Sequence, residues 1–152
     1  MKKVAILIGS ETDRPIIEKS KPYFDYFSIN FEIHVLSAHR NPSEVAKFSE
    51  EAKDNGYSIL VGSAGMAAHL AGVIKAHTAL PVIGIPLPGG IMDGLDSLLS
   101  TLQMPKGVPV ATVAVGSAGA INAAVLCAEI LALNDEKMYN RLLEFKSQGC
   151  KL

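Results

Sequence analysis

The chain has 152 residues, 49% of them hydrophobic and 19% charged, with 14 Lys and Arg against 15 Asp and Glu for a net charge of −1. That length suits one domain with a sizeable core over residues 1–152, and a near-neutral charge with no basic block and no aromatic-plus-basic stripe argues against a nucleic-acid binder. The low charged fraction points to surface buried in an oligomer, and two cysteines without metal or disulfide spacing, Cys127 and Cys150, fit a reducing, cytoplasmic setting.

Met1-Lys2-Lys3-Val4 opens like a signal peptide, but the apolar run covers only 4–8 and ends at Gly9-Ser10-Glu11 with no small-residue cleavage site. Residues 3–9 read as a buried strand, and Gly9-Ser10-Glu11-Thr12-Asp13 as the turn after it. A helix is expected over about 13–27, kinked or shortened by Pro22. Residues 31–36 alternate, with Phe31, Ile33 and Val35 on one face and Glu32, His34 and Leu36 on the other, which predicts a strand. Ser37-Ala38-His39-Arg40-Asn41-Pro42 breaks that pattern. Asn41 is placed as an N-cap, Pro42 as the first helical residue, and Glu44 to reach back to the cap. The helix covers about 42–55, with Val45, Phe48 and Ala52 on one face and Gly56 just past its end.

Residues 58–61 form a third strand, with Gly62-Ser63-Ala64-Gly65-Met66 as its turn and a helix over about 67–78. A fourth strand covers 81–85, followed by a Pro- and Gly-rich loop over 86–94 and a short helix over 95–103, stopped by Pro105. A fifth strand covers 110–115. Gly116-Ser117-Ala118-Gly119 leads into a helix reaching about 133, and an amphipathic helix over 135–148 sets Met138, Leu142 and Phe145 on one side. The two Gly-Ser-Ala-Gly stretches read as one turn solution used twice. The uncharged stretch 107–128 is interrupted by Pro109, Gly116, Ser117, Gly119 and Asn122, so it reads as strand, turn and helix rather than as a membrane span. The helix over 118–133 is apolar nearly all round, which predicts burial on every side with a partner subunit as cover. The order βαβαβαβαβαα predicts an α/β fold: a three-layer α/β/α sandwich with a mainly parallel five-stranded sheet, flavodoxin- or Rossmann-like.

In such a sheet the strand-to-helix turns line the ligand crevice, and His39 and Arg40 fall on one of them. A proton carrier beside a permanent cation at a helix start suits a small phosphorylated substrate. On the first turn, the Ser10 and Thr12 hydroxyls and the backbone N–H groups can hold phosphate and the Asp13 carboxylate can accept from ribose hydroxyls, or Thr12 or Asp13 can simply cap a helix. That turn lacks the dinucleotide glycine fingerprint and the P-loop lysine, so neither NAD nor ATP is supported. Of the four histidines, His34 reads as structural, His77 as a cation at a helix C-terminus, His69 as open between two roles, and His39 as functional. No Asp, His and Cys set has metal-ligand spacing, and no serine stands in a Gly-x-Ser-x-Gly elbow.

Five stretches agree in order and spacing: Gly9-Ser10-Glu11-Thr12-Asp13, Ser37-Ala38-His39-Arg40, Ala67-Ala68-His69-Leu70, Leu95-Asp96-Ser97-Leu98-Leu99-Ser100 with Gln103-Met104-Pro105, and Gly119-Ala120-Ile121-Asn122-Ala123-Ala124. Through them essentially the whole chain resembles the PurE family of purine biosynthesis. The Asp96 to Pro105 block is similar to the class I branch, the N5-carboxyaminoimidazole ribonucleotide mutases. Arg40 stands where the class II branch, which carboxylates aminoimidazole ribonucleotide directly with CO2, usually has lysine. The resemblance implies one catalytic domain forming a homo-octamer, without cofactor, metal or membrane, that moves a carboxylate from the exocyclic nitrogen to ring carbon C4 of its ribonucleotide. It implies that Ser10, Asp13 and Arg40, with Ser37 and Ala67, bind the ribonucleotide. It implies too that His39 carries the proton and that His69 lines the pocket for the migrating CO2. Small side chains at Ala67 and Ala68 leave room for CO2, and the loop over 86–94 could exclude water. Three residues depart from the family pattern: Thr12 replaces a serine, Met66 stands where a second glycine is common, and Ala71 where proline is common. The alternatives are a direct carboxylase on the same fold and a non-catalytic nucleotide-sensing module.

Overall fold

The computed structural model describes residues 3–152; Met1 and Lys2, which open the stretch weighed as a signal peptide, lie outside the described residues. Five strands, β1 (Lys3–Ile8), β2 (Asn30–Val35), β3 (Tyr57–Ala64), β4 (Val82–Pro86) and β5 (Ala111–Thr112), form one sheet in the order β2-β1-β3-β4-β5. Every pairing is parallel. This is the α/β sandwich expected from the alternation of elements, and the strand order reverses direction between β1 and β3.

The two sides of the sheet follow from the period of the strands. Val4, Ile6 and Ile8 point to one layer, and Ala5 and Leu7 to the other, all fully buried. The first layer is closed by α1 (Arg14–Ile17), α2 (Lys21–Tyr26), α6 (Ser117–Ala132) and α7 (Glu136–Ser147), through Ile17, Phe24, Ala124, Cys127 and Phe145. The second is closed by α3 (Pro42–Glu51) and α4 (Leu70–Ala76), through Val45, Leu70, Ala71 and Ile74. On that same side lies α5 (Leu95–Leu102), whose Thr101 presses on Gly84 of β4.

Several boundaries differ from the sequence reading, each for a local reason. The helix expected over 13–27 is divided into short α and 3-10 segments. Pro15 and Pro22 have no N–H to give a helix interior and each sits at the start of a new helix, α1 and α2. Asn41 does not cap α3. Its Oδ1 accepts from the Ser37 backbone N–H at 3.2 Å, and the first turn of α3 has no side-chain cap. Gly56 does take the left-handed conformation, at φ +84°. The two Gly-Ser-Ala-Gly stretches are not one turn used twice. β3 runs on through Gly62, Ser63 and Ala64, whereas Gly116 precedes α6 and Ser117 to Gly119 are already helical. Gly62 is needed for contact rather than for turning, because a Cβ there would lie 2.7 Å from Ala71 Cα in α4. β5 has two ladder residues in place of the expected six, although Val113 and Gly116 still donate to the carbonyls of Gly84 and Pro86 on β4, at 3.0 and 2.9 Å.

The helix α6 is not buried on all sides within the chain. Ala120, Ala123, Ala124, Cys127 and Ala128 face the core, Ile121, Val125 and Ile130 are half-buried, and Asn122 and Glu129 are exposed. Among the described residues no helix is long and apolar enough to cross a membrane. Both cysteines are free, and burial pushes the Cys127 thiol above its ordinary pKa.

Candidate active site

Four strand-to-helix connections meet at the carboxyl edge of the sheet, around the point where strand order reverses, and enclose a cleft of about 440 Å³. The turn after β1 brings Ser10, Thr12 and Asp13. The turn after β2 brings Ser37, His39 and Arg40. The turn after β3 brings Met66, Ala67 and His69, and the loop after β4 brings Pro88 and Gly89. The structure thus gathers Ser10, Asp13, Ser37, His39, Arg40, Ala67 and His69 around one space, although they come from three separate stretches of sequence.

The first turn is built by hydroxyls. Ser10 Oγ accepts from the Thr12 backbone N–H at 3.3 Å and shares a 2.9 Å hydrogen bond with Thr12 Oγ1. The capping expected of Thr12 or Asp13 falls instead to Ser10, which caps a 3-10 turn (Glu11–Asp13) and also lines the cleft, while Asp13 precedes α1 without a side-chain cap hydrogen bond. Partial burial raises the Asp13 carboxyl above its ordinary pKa, and a hydrogen bond from the Ser10 backbone opposes that shift.

The second turn is organised by Ser37. Its Oγ accepts from the backbone N–H groups of His39 at 3.3 Å and Arg40 at 3.2 Å, and its carbonyl accepts from Asn41 N–H at 2.8 Å. This serine aims His39 and Arg40 and keeps its own hydroxyl hydrogen available to a ligand. The Arg40 side chain is exposed and has no ion-pair or hydrogen-bond partner among the described residues.

The third turn carries a contact that the sequence does not reveal. His39 Nε2 lies 2.7 Å from His69 Nδ1, with the rings near perpendicular and their centroids 4.9 Å apart. One of these nitrogens carries a hydrogen and the other offers a lone pair, so the two imidazoles form a ready path for one proton. His69 is not inside a helix, as expected over 67–78. It is the residue just before α4, with its N–H bonded to the Ala67 carbonyl at 3.0 Å. Met66, also on this turn, has φ +51°, a backbone state suited to glycine.

The other two histidines lie elsewhere. His34 packs on Phe48 and lies 3.2 Å from the Tyr57 hydroxyl, while His77 ends α4 and pairs with Glu50 at 3.0 Å. Sequence reading gave no role to the residues that brace the cleft from α5. Ser97 Oγ donates to the Leu87 carbonyl at 2.6 Å, and Asp96 Oδ2 accepts from Ile91 N–H at 3.0 Å, so the loop over 86–94 is tied to the helix that follows it. The signal was present as a run of hydroxyls in Ser97, Ser100 and Thr101, of which Ser97 and Thr101 are buried. Among the described residues no group of three or more His, Cys, Asp and Glu is placed to hold a metal ion. A larger cleft, of about 720 Å³, lies between α7 and the turn before β2, but its guanidinium, Arg141, is engaged by the Tyr26 carbonyl and Ser28 Oγ at 2.8 and 2.9 Å. The paired imidazoles of His39 and His69 are in the smaller one.

The sequence profile of AIR carboxylase matches residues 3–151. The chain belongs to the AIR carboxylase family. Within that family it is 42% identical over 144 residues to the N5-carboxyaminoimidazole ribonucleotide mutase of Escherichia coli (strain K12), covering 95% of this chain and 85% of the relative. It is 43% identical over 143 residues to the protein of the same name from Brucella melitensis, covering 94% and 88%. Among solved structures, Treponema denticola PurE superimposes with a TM-score of 0.87 at 26% identity, over 99% of this chain and 92% of that one.

Proposed function

We propose that this chain is an N5-carboxyaminoimidazole ribonucleotide mutase, an isomerase that moves the carboxylate of its substrate from the exocyclic nitrogen to C4. The reading is supported by the mutases it is similar to along most of its length. The geometric observation that carries it is the 2.7 Å contact between His39 and His69, in a cleft whose other polar side chains are hydroxyls, one carboxyl and one guanidinium without a partner among the described residues.

The residues divide the work by chemistry. Arg40 presents a fork of N–H donors suited to the substrate phosphate. The Ser10 and Ser37 hydroxyls can donate to phosphate oxygens, and the Asp13 carboxylate can accept from ribose hydroxyls. The amino-imidazole ring is electron-rich, so its C4 can act as a carbon nucleophile. As the bond from nitrogen to the carboxylate carbon breaks, His39 delivers a proton to that nitrogen and CO2 is released. C4 then attacks the CO2, and His39 takes the C4 proton back, which leaves no net proton gained or lost. His69 relays or holds that proton through its Nδ1. CO2 trapped beside Ala67 stays close to C4, a proximity effect that free bicarbonate cannot match. We assign residues 1–152 to one catalytic unit, and a homo-octamer in the cytoplasm as its assembly and setting.

The test is product formation from N5-carboxyaminoimidazole ribonucleotide at low bicarbonate without ATP, run beside aminoimidazole ribonucleotide with bicarbonate. Fast turnover of the first, with slow use of the second only at high bicarbonate, is the expected result. The reverse preference would make the chain a direct carboxylase and Arg40 a misleading marker of class.

A further inference from the structure

The turn that carries His69 is held from outside the cleft, by α5. Ser100 Oγ accepts the Ala68 backbone N–H at 2.9 Å and donates to the Asp96 carbonyl at 2.7 Å, with the Met66 carbonyl a further 3.3 Å neighbour. One residue on, Thr101 Oγ1 lies 3.5 Å from the Ala68 carbonyl and 2.7 Å from that of Ser97. Ser100 therefore holds the backbone N–H of Ala68, thirty-two residues away in sequence, while the one hydroxyl hydrogen of Thr101 goes to Ser97 and leaves the Ala68 carbonyl a neighbour. Ala68 is almost fully buried, so its N–H has no water to turn to if the hydroxyl is lost.

The next residue is His69, and its ring contact with His39 depends on where this turn sits. The turn has little to hold itself: Met66 is in a left-handed conformation and largely exposed, and α4 starts only at Leu70. Ser100 touches neither imidazole. We infer that Ser100 is a positioning residue, which sets His69 against His39 by anchoring the Ala68 N–H. This rests on the mutase reading for its kinetic consequence, but the placement of the two rings can be tested without substrate.

Two readouts are needed. In the first, Ser100→Ala removes the acceptor while changing little volume. Its kcat on N5-carboxyaminoimidazole ribonucleotide is expected to fall about 10- to 100-fold with little change in KM, because the ligand-binding groups stay and only the proton path shifts. Ser100→Thr keeps the hydroxyl and restores most of kcat. In the second, the rates at which diethyl pyrocarbonate modifies each histidine are read by mass spectrometry. A ring nitrogen engaged in a hydrogen bond reacts slowly, so Ser100→Ala should speed modification of His39 and His69 several-fold relative to the reference histidines His34 and His77, which lie outside the cleft. Unchanged kcat with unchanged His39 and His69 reactivity overturns the inference. So does a rise in KM in place of the fall in kcat, or a Thr variant as impaired as the Ala one. Should Ser100→Ala fail to fold, Ser100→Cys, of similar size with a weak acceptor, decides by the same readouts. If the wild-type chain does not turn over its substrate, the mutase reading fails, and the modification rates alone decide the role of Ser100.

Discussion

Replacing Arg40 with alanine isolates the proposed phosphate interaction, because that side chain has no other partner among the described residues. Its guanidinium faces the cleft with no partner among the described residues, while its backbone N–H is held by Ser37 Oγ at 3.2 Å regardless of the side chain. The turn therefore survives the substitution, and stability should move by no more than about 0.5 kcal/mol, as for an exposed residue without partners. Binding should not be spared. A hydrogen bond to a charged group contributes roughly 1.5–3 kcal/mol, so the affinity for a ribonucleotide should fall about 10- to 150-fold. Arg40→Lys keeps the charge but loses the two-pronged geometry, and should fall between wild type and Arg40→Ala. The assay is calorimetric titration with the product ribonucleotide and with the corresponding dephosphorylated riboside. The loss should be confined to the phosphorylated ligand and should shrink as salt is raised, since an exposed charge is screened. An equal loss for nucleotide and riboside would refute the phosphate role.

Three further outcomes are expected. His39→Asn should lower turnover by about 10²- to 10⁴-fold while leaving ribonucleotide binding largely intact, and near-normal turnover in a steady-state assay would sink the assignment of His39 as proton carrier. Gly62→Ala places a Cβ 2.7 Å from Ala71 Cα, a backbone atom that cannot swing aside, so it should cost about 1–3 kcal/mol and displace the start of α4. A thermal melt and kcat unchanged from wild type would show that the β3–α4 contact is slack. Burial raises the Asp13 carboxyl above its unfolded value, so its contribution to stability is full in acid and is lost as pH rises through the folded value. Asp13→Asn should then hold or raise the melting temperature at neutral pH while weakening ribonucleotide binding. In the wild type, binding should weaken on acidification at a higher pH than an ordinary aspartate would dictate; melts and titrations over about pH 4 to 8 check both.

The elements that were legible in the sequence are those whose signal is local and repeated. Val4 to Ile8, the alternation through Phe31, Ile33 and Val35, and the apolar run ending at Val61 each announced a strand. The chain order then implied a parallel sheet, and that sheet placed His39 and Arg40 at its carboxyl edge. What was not legible was set by distant partners. Asn41 looks like a cap until Ser37 claims its side chain, and Gly62 looks like a turn residue until α4 packs across it. His69 was ambiguous because its meaning lies in a ring thirty residues away. The hydroxyls of α5 were seen as a family signature, but their work is to bond backbone groups on other elements, which no spacing rule records.

The placement of β1 has a consequence for how this chain folds. β1 pairs with β2 on one side and β3 on the other, and those two neighbours do not touch each other. His39 follows one neighbour and His69 follows the other, so their 2.7 Å contact requires both pairings. An intermediate that has its helices but lacks either parallel ladder has no imidazole pair. Parallel ladders join residues far apart in sequence and form slowly. During refolding, helical signal should therefore return well before enzymatic activity, and activity should mark the moment at which the central strand has gained both of its partners.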